Sequence, residues 1–252
     1  MLTRAQLLEP LARHRSNEVV VTTDWLSQHS ADSNLRVFDC TTHLIHQSDP
    51  ESGAPYVVQS GKDDYDKAHI PGAAFIDLQQ DLSDTTSPYR FTCLQANELA
   101  EKFGALGIGD NTTAVLYSQT TPQWATRIWW LLRTVGFDRA CVLDGGLTRW
   151  KTDGRAVSSE TTTHPPASLT TQPRNGLLVD KETVLSAIDD DNTCTINALR
   201  AVQHAGLDNG AFGHYGRPGR IPRSVNVPTN ELVDPATMEF LPSEEIRSRL
   251  HA

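Results

Sequence analysis

Short apolar runs alternate with amphipathic stretches along the first half of the chain. This pattern is typical of strands and helices that follow one another in a parallel α/β protein. The apolar runs predict strands at 19–22, 35–39, 73–76, 113–117 and 141–143. Helical spacing of the apolar residues predicts helices at 24–29, 94–103 and 122–134, and a short one after Gly146 that ends near Lys151. The polar, aperiodic stretch 41–66 predicts a long loop.

The clearest strand is Thr113–Tyr117, and a short polar loop that begins at Ser118 follows it. Thr121 is a suitable N-cap for the next helix, and Pro122 is a suitable first helical residue. We therefore expect Thr113–Tyr117 to be the central parallel strand. Ser118 then lies at its carboxyl end, the edge where α/β sheets place their functional sites.

The chain uses one motif twice, since the stretch 68–77 (Ala-His-Ile-Pro-Gly and an apolar run) returns at 219–228. Proline suits a tight entry into a strand and not a strand interior. Three further segments recur in the same order: 19–21 at 177–179, 35–39 at 193–197 and 91–95 at 240–244. The repeat predicts two related domains, the first at 18–154 and the second at 176–252, joined by a linker rich in Ser, Thr and Pro at 155–175.

Composition restricts the class of protein. The net charge of −9 argues against a general nucleic-acid binder, and no apolar run approaches the roughly 20 residues of a membrane span. The four cysteines form no Cys-x-x-Cys pair, so the sequence indicates neither a metal nor another cofactor. Isolated thiols on apolar stretches favour reduced, mostly buried cysteines, including Cys194. We expect a cytoplasmic protein, and a mitochondrial one is less favoured.

Motifs in both halves resemble the tandem-domain sulfurtransferase family of rhodanese and 3-mercaptopyruvate sulfurtransferase. The matching segments are Ala68–Ala73, Arg127 with Trp129 and Trp130, Leu143–Leu147 with Trp150, Asn197–Leu199, Tyr215–Pro222 and Ser224–Pro228. The resemblance implies two rhodanese-like α/β domains with parallel central sheets flanked by helices. It also implies a cysteine loop in the second domain. That cysteine takes sulfur from thiosulfate or 3-mercaptopyruvate and passes it, as a persulfide, to a thiol or cyanide acceptor.

The sequence departs from the family pattern at the position that matters most. Ser118 occupies the equivalent loop of the first half, and a hydroxyl cannot form a persulfide. The first copy continues from Phe91 to Trp150, whereas the second continues from Phe240 only to Ala252. By internal homology roughly 45–50 residues with the cysteine loop are missing, so we expect an incomplete second domain. We assign no catalytic residue and expect the chain to be inactive alone.

A basic cluster in the second half is the best candidate for binding. Between 197 and 225 the charged residues are Arg200, Arg217, Arg220, Arg223 and Asp208, although the whole chain is acidic. A local positive field suits a small anionic sulfur donor, and we expect Arg217, Arg220 and Arg200 to bind it. A solvated basic loop is the alternative.

Other interpretations remain open at this point. The chain could be a non-catalytic rhodanese-like binding module. It could instead be a hydrolase that uses Ser118, although the Gly-x-Ser-x-Gly elbow is absent. Asp39 and His69 could form an acid–base pair, but a structural hydrogen bond that holds the Ile-Pro-Gly entry is favoured. For Arg127 we expect a packing role, paired with a carboxylate such as that of Asp144.

Overall fold

The computed structural model describes residues 19–46, 56–207 and 218–251. The strands are β1 (Val20–Val21), β2 (Leu35–Asp39), β3 (Thr42–His46), β4 (Tyr56–Ser60), β5 (Ala73–Phe75), β6 (Thr113–Tyr117), β7 (Ala140–Leu143), β8 (Ile196–Asn197) and β9 (Val225–Asn226). The helices are α1 (Thr23–His29), α2 (Lys62–Lys67), α3 (Leu78–Asp81), α4 (Ala96–Ala105), α5 (Gln123–Thr134), α6 (Gly146–Thr152), α7 (Lys181–Ala187), α8 (Ala201–His204) and α9 (Ser243–His251). No helix among these residues is long and apolar enough to cross a membrane.

The described residues form two compact units. Unit 1 consists of 19–42 and 60–178, and unit 2 consists of 43–46, 56–59, 179–207 and 218–251. The sheet of unit 1 has the order β1-β7-β6-β2-β5, and all its pairs are parallel. The prediction that Thr113–Tyr117 is central is confirmed, because β6 lies between β2 and β7. Its residues 114–117 are fully buried, as expected for a strand covered on both faces.

Helix α5 starts one residue later than predicted. Its first residue is Gln123, Pro122 precedes it, and no side chain caps it. Thr121 is therefore not the cap that the sequence suggested. Helices α1 and α3 do carry side-chain caps, since the side chains of Thr22 and Asp77 accept hydrogen bonds from amides of their first turns.

The prediction of a loop over 41–66 is wrong. Strands β3 and β4 pair as a two-stranded sheet, and helix α2 follows them. Buried Tyr65 on α2 holds that helix in place, because its hydroxyl donates to the carbonyl of Ala73 at 2.8 Å. The turn residues Pro50, Gly53 and Pro55, which suggested the loop, lie outside the described residues.

Residues 155–175, predicted as a linker, run as an extended strap along unit 1. Ser158 exchanges two main-chain hydrogen bonds with His69. Further along, Ala167 N donates to Gly104 O, and Gln172 N donates to Val135 O. The far end is clamped by Asp138, whose carboxylate pairs with both Arg133 and Arg174. These hydrogen bonds satisfy main-chain N–H and C=O groups of a segment that has almost no apolar side chains of its own.

His164 is the titratable group of the strap that packs against the sheet. Its ring lies edge-on to Phe38 at 5.1 Å between centroids, and its Nε2 lies 3.3 Å from the carbonyl oxygen of Val37. Burial lowers the pKa of His164 below its ordinary value, helped by the charge of Arg36 and opposed by the hydrogen bond to Val37. The folded chain therefore holds the proton less well than the unfolded chain.

We expect unit 1 to lose stability as the pH falls below about 6.5, the pKa of an unfolded histidine, because protonation favours the unfolded state. In His164→Gln, which keeps an amide donor for Val37, this acid-induced loss should be smaller. Urea unfolding followed by tryptophan fluorescence at pH 7.5 and pH 5.5 measures it. All five tryptophans lie in unit 1, so the signal is specific. An identical pH dependence in both proteins would contradict the assignment to His164.

Unit 2 repeats the β2–β5 part of unit 1. Strands β8 and β9 pair in parallel, as β2 and β5 do. Asn197 O accepts from Val227 N at 3.0 Å, just as Asp39 O accepts from Ile76 N at 2.9 Å. The side chains of Asn197 and Asp39 each accept from the amide two residues ahead. The strands predicted at 177–179 and 193–197 shrink to Ile196–Asn197 alone, the part that finds a partner in β9.

The Ile-Pro turn that enters each second strand is also repeated. Ala73 N donates to Ile70 O, and Ser224 N donates to Ile221 O. The third turn residue is left-handed in both copies, with φ 78° at Gly72 and φ 61° at Arg223. This is the geometry of a type II turn, in which proline occupies the second position. The repeat read from the sequence is thus a structural repeat.

Candidate active-site loop and basic cluster

The loop after β6 holds Ser118 against the start of α6. Ser118 is 5% exposed, and its carbonyl oxygen accepts from Leu147 N at 3.3 Å. Gly146 passes so close that a Cβ there would lie 2.2 Å from Ser118 O. The Ser118 hydroxyl oxygen is 3.5 Å from Thr120 N, and among the described residues no imidazole or carboxylate contacts it. The arrangement lacks the base that a serine nucleophile needs.

Asp39 at the end of β2 fixes the same loop from the other side. Its carboxylate accepts from the amide and hydroxyl of Thr41 and, at 2.8 Å, from the side-chain amide of Gln119. Gln119 also donates to Ala68 O at 3.0 Å. Its main-chain N–H donates to the Thr41 hydroxyl, so that amide does not point into an open anion cradle. Burial raises the pKa of Asp39, while the hydrogen bonds from Thr41 and Gln119 oppose the shift.

His69 does not act with Asp39 as an acid–base pair. Its ring nitrogens lie 2.6 Å from Tyr65 O and 3.1 Å from Glu160 O, and the ring stacks on Tyr65 at 3.9 Å between centroids. Tyr117 connects the loop region to the Ile-Pro-Gly entry, because its hydroxyl accepts from Ile70 N at 3.1 Å. His69 is therefore structural, as favoured, although its partners are carbonyls and not Asp39.

Arg127 on α5 has a different partner from the one predicted. Its guanidinium donates to Phe91 O at 3.1 Å and not to the carboxylate of Asp144. The ring of Phe91 packs on Trp124 at 5.5 Å between centroids. Burial lowers the pKa of Arg127, and neighbouring Cys93 opposes that shift. Arg127 thus anchors the segment before α4 to α5, which is a packing role.

None of the four cysteines lies in a loop that opens a helix from a central strand. Cys40 and Cys141 are buried, and Cys93 is half-buried. Burial, with a contribution from Asp39, raises the pKa of the Cys40 thiol well above its ordinary value, and burial raises that of Cys93 despite Arg127. Cys194 is exposed, so the expectation that it is buried is wrong. It lies two residues before β8, and β8 belongs to a sheet of only two strands among the described residues.

The basic cluster of unit 2 is partly neutralised. Arg223 pairs with Asp191 and donates to Ile188 O. Arg200 precedes helix α8, and the Arg220 guanidinium donates at 3.3 Å to the carbonyl of His204 at the end of that helix. Four helical residues span roughly 6 Å, so α8 brings these two exposed arginines to neighbouring positions. Arg217 lies outside the described residues.

Sequence reasoning missed two site residues, Gln119 and Thr41. Neither belongs to a motif, and their roles arise only because the ends of β2 and β6 are adjacent in the sheet. Among the described residues no group of three or more His, Cys, Asp or Glu side chains is arranged to hold a metal ion.

The fold defines a class of α/β proteins with a five-stranded parallel sheet, flanking helices and a loop that leads from the central strand to a helix. The rhodanese-like domain family matches residues 22–153, and the chain belongs to this family. Over 256 residues the chain is 28% identical to thiosulfate/3-mercaptopyruvate sulfurtransferase 2 of Arabidopsis thaliana, covering 93% of this chain and 71% of that protein. Human 3-mercaptopyruvate sulfurtransferase is 30% identical over 211 residues, covering 79% and 70%.

The solved structures agree with the sequence relatives. The crystal structure of SseA, a 3-mercaptopyruvate sulfurtransferase of Escherichia coli, superimposes with a TM-score of 0.74 at 26% identity and covers 93% of this chain and 83% of that one. The tandem two-domain architecture fits these relatives. Family resemblance supports a sulfurtransferase function.

Proposed function

We propose that the chain is a sulfurtransferase of the thiosulfate/3-mercaptopyruvate type. In this reaction sulfane sulfur moves from thiosulfate or 3-mercaptopyruvate to a thiol or cyanide acceptor through a cysteine persulfide. The observation that carries the proposal is the rhodanese-like family match over 22–153, together with relatives named for these two donors. The internal repeat supports a second domain of the same kind.

The proposed chemistry balances without a cofactor. A cysteine thiolate attacks the outer sulfur of thiosulfate, the S–S bond of the donor breaks, and sulfite leaves with the electron pair. Cyanide then attacks the outer sulfur of the persulfide, which releases thiocyanate and restores the thiolate. With 3-mercaptopyruvate the carbon–sulfur bond breaks, and pyruvate forms after proton uptake.

We assign no catalytic residue within these 252 residues. Ser118 cannot carry a persulfide, and Cys40, Cys93 and Cys141 are held in buried or half-buried positions where their thiolates are disfavoured or inaccessible. Cys194 is exposed but lies before β8, not in a loop that leads from a central strand to a helix. The proposal therefore includes a persulfide cysteine loop that is missing from this chain.

Donor recognition is proposed for Arg200 and Arg220, with Arg217 as a third candidate from the sequence. Both described arginines are exposed, and they flank the same short helix. Guanidinium groups bind the oxygens of sulfonate-like and carboxylate anions through charge-assisted hydrogen bonds.

We expect the double variant Arg200→Ala, Arg220→Ala to bind thiosulfate about tenfold more weakly than the unaltered chain, because two charge-assisted contacts are lost. Calorimetric titration at low ionic strength measures the affinity. The matched control is the double variant Arg90→Ala, Lys151→Ala, which removes the same two positive charges from exposed positions in unit 1. Equal weakening in the control would reduce the effect to net charge, and unchanged binding in the double variant would refute the proposed site.

A non-catalytic rhodanese-like binding module is the second candidate. The loop after β6 favours this candidate. The main-chain N–H of Gln119 already donates to the Thr41 hydroxyl, and its side-chain amide already donates to Asp39. The two candidates differ in whether the chain turns over a sulfur donor.

A further inference from the structure

The strap ends in the dipeptide Asn175–Gly176, which lies between two fixed points of unit 1. Before the dipeptide, Arg174 N donates to Thr134 O at 2.9 Å. After it, Leu177 O accepts from the indole nitrogen of Trp130 at 2.9 Å. The two residues between these anchors are exposed to solvent. The dipeptide is therefore an accessible turn whose ends are held in place.

The chemistry of this turn suits cyclisation of the asparagine side chain. Among the described residues, no acceptor pairs with the N–H of Gly176, and the side-chain amide of Asn175 has no hydrogen-bond partner. Gly176 has φ 86°, a conformation that favours glycine, and it carries no side chain that would shield its nitrogen. The nitrogen of Gly176 and the side-chain carbonyl carbon of Asn175 are therefore available to each other.

A dipeptide at the other end of the strap shows the opposite arrangement. Asp153–Gly154 is also exposed, and its glycine also has a positive φ, 72°. There, however, Gly154 N donates to Lys151 O at 3.0 Å. The carboxylate of Asp153 accepts from the hydroxyl of Thr23 and from Arg149. Both groups that would have to meet are occupied, so exposure alone does not distinguish the two dipeptides.

We propose that Asn175 is a modification site, at which the chain deamidates spontaneously to aspartate and isoaspartate. Hydroxide removes the proton of Gly176 N–H, the nitrogen attacks the side-chain carbonyl carbon of Asn175, and the side-chain nitrogen takes up a proton and leaves as ammonia. Water then opens the resulting succinimide ring at either carbonyl. The reaction consumes water, releases ammonia and involves no oxidation or reduction. The inference does not depend on sulfur transfer.

The product alters the point at which the strap leaves unit 1. Isoaspartate carries the main chain through its Cβ, which adds one bond of roughly 1.5 Å between the anchors at Arg174 and Leu177. It also adds a negative charge next in the chain to Arg174, whose guanidinium pairs with Asp138. The free carboxylate of isoaspartate is the group that isoaspartate-specific carboxyl methyltransferases modify, so such an enzyme serves as a probe.

The test incubates the full 252-residue chain at 37 °C and pH 8 and follows its tryptic peptides by mass spectrometry and by methyl acceptance. Asn175 lies in the peptide 175–181, and the internal comparison is Asn97 in the peptide 91–102. We expect Asn175 to deamidate faster than Asn97 by about tenfold or more, because Asn97 is held in helix α4 and is not followed by glycine. A second Asn-Gly pair, 209–210, lies outside the described residues, so the rates are taken from separated peptides.

Two controls make the result specific to this site. Asn175→Gln keeps a side-chain amide but would have to close a larger ring, so methyl acceptance in the peptide 175–181 should disappear. The unaltered chain unfolded in guanidinium chloride measures what the fold contributes, and we expect the folded chain to deamidate at Asn175 within about threefold of that rate, because the turn is exposed and unpaired. Equal rates at Asn175 and Asn97, undiminished methyl acceptance in Asn175→Gln, or strong protection of Asn175 by the fold would each overturn the proposal.

Discussion

With thiosulfate or 3-mercaptopyruvate as donor and cyanide as acceptor, the 252-residue chain is expected to form thiocyanate no faster than the uncatalysed background. Its loop after the central strand carries Ser118, and a hydroxyl cannot hold transferred sulfur. Of its four thiols, only Cys194 is exposed. Because covalent catalysis is lost entirely, the expected difference from a complete tandem sulfurtransferase is several orders of magnitude. Colorimetric detection of thiocyanate measures it.

The control for this assay is Cys194→Ser, which removes the exposed thiol and should leave the background rate unchanged. A rate comparable to that of a complete relative, lost in Cys194→Ser, would move the active site to Cys194 and refute the assignment. A substantial rate that survives this substitution would show that one of the less accessible cysteines reacts.

Gly146→Ala is expected to destabilise unit 1 by about 3–4 kcal/mol. The position has φ 52°, and an added Cβ would lie 2.2 Å from the carbonyl oxygen of Ser118. Backbone strain and forced movement of the loop therefore act together, because the obstructing atom belongs to the main chain. Urea unfolding followed by tryptophan fluorescence gives the free energy of unfolding.

Gly72→Ala is the matched control for that experiment. Gly72 also has a positive φ, 78°, but nothing lies within 4 Å of a Cβ built there. Only the backbone strain remains, about 1 kcal/mol. Equal losses in the two variants would show that the Ser118 loop yields to the added methyl group and is not rigidly packed.

The elements predicted best from the sequence are those whose structure depends on complete burial or on residues that are neighbours in the chain. Thr113–Tyr117 is apolar because both faces of a central strand are covered, so its position and length could be read directly. The Ile-Pro turn could also be predicted from the sequence, because proline at the second turn position fixes the backbone whatever surrounds it.

The errors share a physical cause, since each depends on a partner distant in sequence. Residues 177–179 have the apolar character of a strand but find no partner strand, whereas β3 and β4 pair with each other in a stretch rich in turn residues. Gln119 gains its role only from the carboxylate of Asp39 on the adjacent strand. Arg127 bonds to a carbonyl, which sequence cannot distinguish from a carboxylate partner.

The strap follows a path that glycines keep open. Cβ atoms at Gly104, Gly107, Gly109 and Gly136 would each lie within 2.7 Å of atoms of residues 164–172. By composition this segment looks like a tether that proteases cut readily. A protease must draw several residues of extended chain into its cleft, and here those residues are bonded to unit 1. Cleavage within 158–172 therefore requires unit 1 to open, so its rate reports the opening of the folded domain and not the motion of a tether.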